Sequence, residues 1–127
     1  MTLACIEHIN VTVESPDRVA QLFCNLFDWR VRWAGESKDN GYSVHVGSDK
    51  RYIALYTHPN SSNHEHSYLT HGTVNHIGVI VKDLNSMEQR VQEHGLKPDN
   101  HRDYDVCRSF YFMAEKCLEI EVVSYPK

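Results

Sequence analysis

The chain has no long apolar run. Its hydrophobic stretches are strand-sized, far short of the roughly 20 residues a membrane-spanning helix needs. It also lacks a basic excess: 13 Lys and Arg stand against 17 Asp and Glu, a formal net charge of −4. With no Lys/Arg cluster to set against it, that charge argues against non-specific nucleic-acid binding, which relies on phosphate neutralisation. The four cysteines, Cys5, Cys24, Cys107 and Cys117, form no C-x-x-C pair. Reduced thiols packed inside strands and a helix are expected, not a disulfide framework. No glycine-rich phosphate loop and no Ser-His-Asp arrangement is legible. The opening stretch, "MTLACIEHINVTVESPDR", has neither the basic start nor the apolar block of a signal peptide, so a cytoplasmic location is expected.

What is present is an ordinary globular mixture, 41% hydrophobic and 24% charged over 127 residues. That length suits one domain, or two half-domains sharing a core. The informative feature is a repeat. "IEHINVTV" at 6–13 and "VNHIGVIV" at 74–81 align with an offset of 76 − 8 = 68, placing His8 on His76 and Ile9, Val11 and Val13 on Ile77, Val79 and Val81. A helix start follows each strand: Ser15 before Pro16, and Asp83 before Leu84. Val19, Leu22, Phe23 and Leu26 make a helical stripe ending near Phe27-Asp28-Trp29, and Leu84, Met87 and Val91 make a second ending at His94-Gly95. Strand-like runs come next: "WRVRW", "YSVHV" and "RYIALYT", then a short piece near "HRDYD", "RSFYFM" and "CLEIEVV". The endings "IALYTHP" and "IEVVSYP" align at 126 − 59 = 67, one residue fewer than the first anchor. Each half therefore reads as β-α-β-β-β, over about 3–58 and 74–125, within one domain spanning 1–127. The polar loop between them is unusually long for a compact domain.

Strand periodicity assigns faces. Ile9, Val11 and Val13 should pack on the first helix, leaving His8, Asn10 and Thr12 opposite. Ile77, Val79 and Val81 should face the second helix, leaving His76 and Gly78 opposite. Leu118, Ile120 and Val122 should point inward, with Glu119 and Glu121 pointing the other way. A single strand histidine is usually just a half-buried polar residue. Two in one duplicated register, on helix-free faces like the carboxylate, can converge with it if the two half-sheets curve around a shared cleft.

This pattern resembles the vicinal oxygen chelate superfamily, which includes glyoxalase I, extradiol ring-cleaving dioxygenases, fosfomycin-resistance proteins and bleomycin-binding proteins. "VESPDRVAQLFCNLFDWRV" is similar to its first helix and "AEKCLEIEVVSYP" to its closing hairpin and strand. Where the family usually has Asp-Pro-Asp-Gly, this chain has Ala114-Glu115-Lys116-Cys117. The resemblance implies an α+β fold, two β-α-β-β-β modules forming a cupped mixed sheet with helices outside. It implies a divalent metal (Fe, Mn, Zn, Co or Ni) held by His8, His76 and Glu121. Glu119 is the second choice for the carboxylate, because it demands a displaced register. The family's fourth ligand position falls on Ala54, which argues against a glyoxalase I site and leaves open coordination positions. Two His and one carboxylate is the set of non-haem Fe(II) oxygenases and of some zinc hydrolases.

The implied function is a metal-dependent enzyme acting on a small oxygen-bearing organic molecule, by dioxygenase-type or lyase-type chemistry. The competing reading is a metal-free, bleomycin-resistance-type sequestrant. Tyr111 and Glu119 are the candidate catalytic groups, Tyr111 because its "SFY" context resembles a substrate-binding tyrosine of extradiol dioxygenases. Asn10, Tyr56 and His58 are candidates for the substrate, and Tyr52 shares the face of Tyr56. The loop histidines His64, His66 and His71 lack any spacing that would orient ligands, and a solvated loop is expected. A homodimer is expected, with each site inside one chain or with modules exchanged across the long loop.

Overall fold

The structure is a computed structural model describing residues 2–126. Two compact units divide at the middle of the polar loop, Met1–Ser62 and Asn63–Lys127. The first contains β1 (His8–Thr12), α1 (Pro16–Phe27), β2 (Arg30–Ser37), β3 (Gly41–Gly47) and β4 (Tyr52–Thr57). The second contains β5 (Ile77–Ile80), α2 (Leu84–Glu93), β6 (Asp99–Asp103), β7 (Arg108–Glu115) and β8 (Leu118–Ser124). Each unit is thus the expected β-α-β-β-β module, an α+β arrangement with one helix on a four-stranded mixed sheet. No helix among the described residues is long and apolar enough to cross a membrane.

The strand orders are β1-β4-β3-β2 and β5-β8-β7-β6, so the first and last strands of each unit are neighbours and run parallel. All other pairs are antiparallel. The registers match under the sequence offsets: Asn10 faces Ala54 in one unit and Gly78 faces Glu121 in the other.

The helices form where the sequence signals them. Pro16 takes the first position of α1, whose chain leaves through Asp28 in the left-handed region at φ 59°. In α2 the Asp83 carboxylate accepts the Ser86 N–H at 3.0 Å, and Gly95 takes the left-handed conformation just beyond the C-terminus. The cores follow the predicted alternation. Val19, Phe23 and Leu26 pack with the buried Val44, Val46, Ile53 and Leu55, since α1 lies over β3 and β4. Leu84 and Val91 belong to the core of Phe110, Phe112, Leu118, Ile120 and Val122.

Three expectations are corrected. Ile9 is 38% exposed instead of packed on the helix, because β1 is the edge strand and α1 rests mainly on β3 and β4. Only Cys24 lies within a helix or strand; Cys5, Cys107 and Cys117 sit in connections, and all four are free thiols. The short strand begins at Asp99 instead of near His101, where a register shift and a left-handed Asn100 (φ 51°) let the exposed edge bend.

Phe110 is fully buried in the second core. Phe110→Ala is expected to cost about 3–5 kcal/mol of unfolding free energy. Urea denaturation followed by circular dichroism checks this, and a loss under roughly 1 kcal/mol would contradict the packing described.

Candidate functional site

The helix-free face of the second unit gathers most of the chemistry. The parallel β5–β8 pairing sets Glu121 beside Gly78, and the antiparallel β7–β8 pairing sets Tyr111 on its other side. His76 stands one residue before β5, and its Nε2 lies 3.3 Å from Glu121 Oε1. Side-chain exposures of 31% and 23% leave the pair reachable yet less screened than a surface contact. The Tyr111 ring meets His76 edge-on at 5.4 Å. Burial first, then the Glu121 charge and a hydrogen bond to Glu121, raise the Tyr111 phenol above its ordinary value.

The hydrogen-bond pattern assigns the tautomer of His76. Its Nδ1 lies 2.7 Å from Asn75 Oδ1 and 3.2 Å from the Tyr68 hydroxyl. That hydroxyl donates its own hydrogen to Glu119 Oε1 at 2.5 Å. Both neighbours of Nδ1 are therefore acceptors toward it, so Nδ1 carries the ring hydrogen. In the neutral ring Nε2 then presents a bare lone pair to a carboxylate oxygen. Two acceptors face each other there, a geometry completed by a cation or by a second ring proton.

Tyr68 comes from the interhalf loop, where a short 3₁₀ turn, Ser67–Leu69, lifts it onto this face. Burial, then the bond to Glu119, raise its phenol well above the ordinary value. Its engagement with Glu119 separates the two carboxylates: Glu119 is occupied by a phenol, whereas Glu121 faces His76. Sequence reasoning missed Tyr68. The one available signal was a Tyr-Leu pair inside an otherwise polar loop.

On the first unit the corresponding face is aromatic. A row of rings crosses all four strands: His8 stacks on Tyr52 at 4.9 Å, Tyr52 on His45 at 4.7 Å, and His45 meets Trp33 at 5.1 Å. A β-bulge between Val31 and Trp33 accompanies the placement of the Arg32 guanidinium 4.4 Å over the Tyr52 ring. Arg32 Nη1 is buried without a hydrogen-bond partner, one of two such side-chain atoms among the described residues. Burial, then the His8 and Arg32 charges, push His45 below the ordinary imidazole value. His8 Nδ1 donates to Glu7 Oε1 at 2.8 Å, so in the neutral ring its Nε2 carries no hydrogen.

The remaining sequence candidates have these surroundings. Asn10 is exposed in β1, opposite the buried Ala54. The Tyr56 hydroxyl donates to the Lys38 carbonyl at 2.7 Å, and His58 Nδ1 accepts the Asn60 N–H at 2.9 Å. Both are thus tied to backbone, and Tyr52 is the ring that meets His8. His64, His66 and His71 are exposed. Within neither unit do three His, Cys, Asp or Glu side chains stand together as a metal cage among the described residues. A cleft of about 520 Å³ in the second unit, lined by Lys82, Asp83, Asn85, Tyr104, Cys107 and Arg108, contains none of the sequence candidates.

A family model described as Glyoxalase/Bleomycin resistance protein/Dioxygenase superfamily matches residues 5–119. No curated protein matches the sequence. Among solved structures, a glyoxylase/bleomycin resistance protein/dioxygenase domain from Frankia sp. EAN1pec aligns with a TM-score of 0.83 at 16% identity, over 99% of this chain and 95% of that one. A mutant fosfomycin resistance protein, FosX, from Listeria monocytogenes, complexed with Mn(II) and 1S,2S-dihydroxypropylphosphonic acid, aligns with a TM-score of 0.74 at 17% identity, over 95% and 92%. The FosX of Mesorhizobium loti gives 0.69 at 19% identity, over 95% and 91%. At these identities the likeness is one of fold.

The Tyr68–Glu119 bond predicts that Tyr68→Phe removes one phenol from the late-ionising fraction in a spectrophotometric alkaline titration. Loss from the ordinary fraction instead would show that Glu119 does not hold the phenol.

Proposed function

Because the chain belongs to the Glyoxalase/Bleomycin resistance protein/Dioxygenase superfamily, we propose that it is a metal-dependent enzyme acting on a small oxygen-bearing organic substrate. His76 and Glu121 are two ligands and His8 is the third, for one divalent ion among Fe, Mn, Zn, Co and Ni. The observation that carries this reading is His76 Nε2 set 3.3 Å from a Glu121 carboxylate oxygen, with Nδ1 turned to Asn75 Oδ1 at 2.7 Å. Imidazole nitrogen with carboxylate oxygen is a donor set that fits these ions. The Mn(II) complex of the Listeria relative supports a divalent ion in this fold.

When bound, the metal supplies Lewis-acid stabilisation of charge on adjacent substrate oxygens. The protein groups do the rest. Tyr111 bonds to Glu121 and orients that carboxylate. Glu119, two residues away on the same face, is the carboxylate left to exchange a proton with substrate, and Tyr68 holds it in place. Ala54 offers no donor where Glu121 stands in the other unit, so three ligands leave positions for substrate. Dioxygenase-type and lyase-type chemistry both fit such an open site. Within the first unit, the stacked His45 and Tyr52 rings offer a flat surface to an organic molecule, and Arg32 Nη1 is buried without an acceptor.

One observation favours the second reading, a metal-free sequestrant. The row from His8 to Trp33 is a stacking surface that would grip a planar ligand without any metal. Elemental analysis of the purified protein separates the two. The enzyme reading expects about one divalent ion per chain, with His76→Ala and Glu121→Gln losing most of it and Glu119→Gln keeping it. Wild-type content in His76→Ala, at equal folding, would refute this ligand set.

The reading includes a homodimer. β1 ends its sheet, and Leu3 and Ile6 before it are 85% and 75% exposed, an edge that invites pairing. Light scattering should give twice the chain mass at micromolar concentration; a monomer mass would refute it.

A further inference from the structure

The two candidate ligand histidines share a local contact that their register does not require. Glu7 Oε1 lies 2.8 Å from His8 Nδ1, and Asn75 Oδ1 lies 2.7 Å from His76 Nδ1. In both cases the acceptor belongs to the residue immediately before the histidine. Glu7 and Asn75 are themselves equivalent under the repeat, 75 − 7 = 68. Both side chains offer an oxygen acceptor, yet they differ in charge. The shared feature is an acceptor aimed at Nδ1.

Stability does not explain the pairing. Glu7 and His8 are 61% and 41% exposed, and an exposed ion pair contributes little to stability. Directing a ring hydrogen is a different matter. An unconstrained neutral imidazole favours the hydrogen on Nε2, the nitrogen that His76 turns toward Glu121 and that must be bare to bind a metal there. An acceptor at Nδ1 reverses that preference. The ring planes are set separately, His8 by stacking on Tyr52 at an interplanar angle of 12° and His76 by the edge of Tyr111 at 73°. Ring plane and tautomer are thus both fixed on each histidine.

We infer that Glu7 and Asn75 are positioning residues, each holding the hydrogen of the following histidine on Nδ1 so that both rings present a bare Nε2. This rests on the metal-site reading above for its purpose, though not for its geometry. Glu7 adds a negative charge that Asn75 lacks, making His8 the more electron-rich of the two donors.

The test uses the full-length protein, stripped with a chelator, labelled with nitrogen-15 and held near pH 8, above the roughly 6.5 of a free imidazole. His8 and His76 signals are assigned from His8→Gln and His76→Gln. Both rings are expected to show hydrogen on Nδ1 and a bare Nε2. Glu7→Ala should return His8 alone to the Nε2–H form. Asn75→Ala, combined with Tyr68→Phe to remove the weaker acceptor at 3.2 Å, should do the same for His76. Glu7→Gln and Asn75→Asp keep an acceptor oxygen and should keep the tautomers. Titrating manganese(II) alone into each protein should show affinity reduced about 10–100-fold in the alanine variants and largely restored in the conservative ones. An Nε2–H ring in the stripped wild-type protein, or alanine variants with unchanged tautomers, would overturn the inference. A wild-type protein that shows these tautomers and switches yet takes up none of manganese, iron, cobalt, nickel and zinc supports the inference and refutes the metal-site reading.

Discussion

The parallel pairing of first strand with last strand in each unit is the constraint on which the rest depends. Parallel neighbours need a crossover, and here the helix and the two middle strands make it. The pairing sets Gly78 beside Glu121 and brings His76, one position before β5, to the same carboxylate. Because side chains alternate, a one-residue slip of β8 would turn Glu121 into the core and expose Val122. The buried series Leu118, Ile120 and Val122 opposes that slip, so packing on one face fixes the chemistry of the other.

The same register gives the units different faces. Glu121 corresponds to Ala54 (121 − 54 = 67), Glu119 to Tyr52 (119 − 52 = 67) and Tyr111 to His45 (111 − 45 = 66). Glu119 thus stands where the first unit has the stacked Tyr52 ring, Tyr111 where it has His45, and Glu121 where it has only the Ala54 methyl group. Only the leading histidine and the acceptor before it are common to both. The backbone plan is duplicated, and the side chains have divided the work into a charge-bearing face and a flat one.

Polar groups on the second face are arranged as a directed chain. His76 Nδ1–H points toward Asn75 and the Tyr68 oxygen, while the Tyr68 hydrogen goes to Glu119. Both donors in that chain, the His76 Nδ1–H and the Tyr68 hydroxyl, have an acceptor. Glu121 and His76 Nε2 are the exception, where a lone pair meets a carboxylate. On the first face the exception is Arg32 Nη1. Such exceptions are where a ligand would gain most from binding.

The sequence by itself determined the duplication, the order of elements and the side of each strand that carries His8, His76, Glu119 and Glu121. These follow from local periodicity and capping residues, which act over a few neighbouring positions. Parity alone left Glu119 and Glu121 equivalent; the repeat offset favoured Glu121, and the tertiary structure gave the two different partners, a phenol and an imidazole. Tyr68 belongs to an irregular loop with no period, and only folding brings it to Glu119, 51 residues away along the chain. The row of His8, Tyr52, His45 and Trp33 joins residues from four strands whose order in the sheet differs from their order in the sequence. The ring hydrogens of His8 and His76 depend on where the Glu7 and Asn75 side chains set their oxygens, which no spacing in a sequence records.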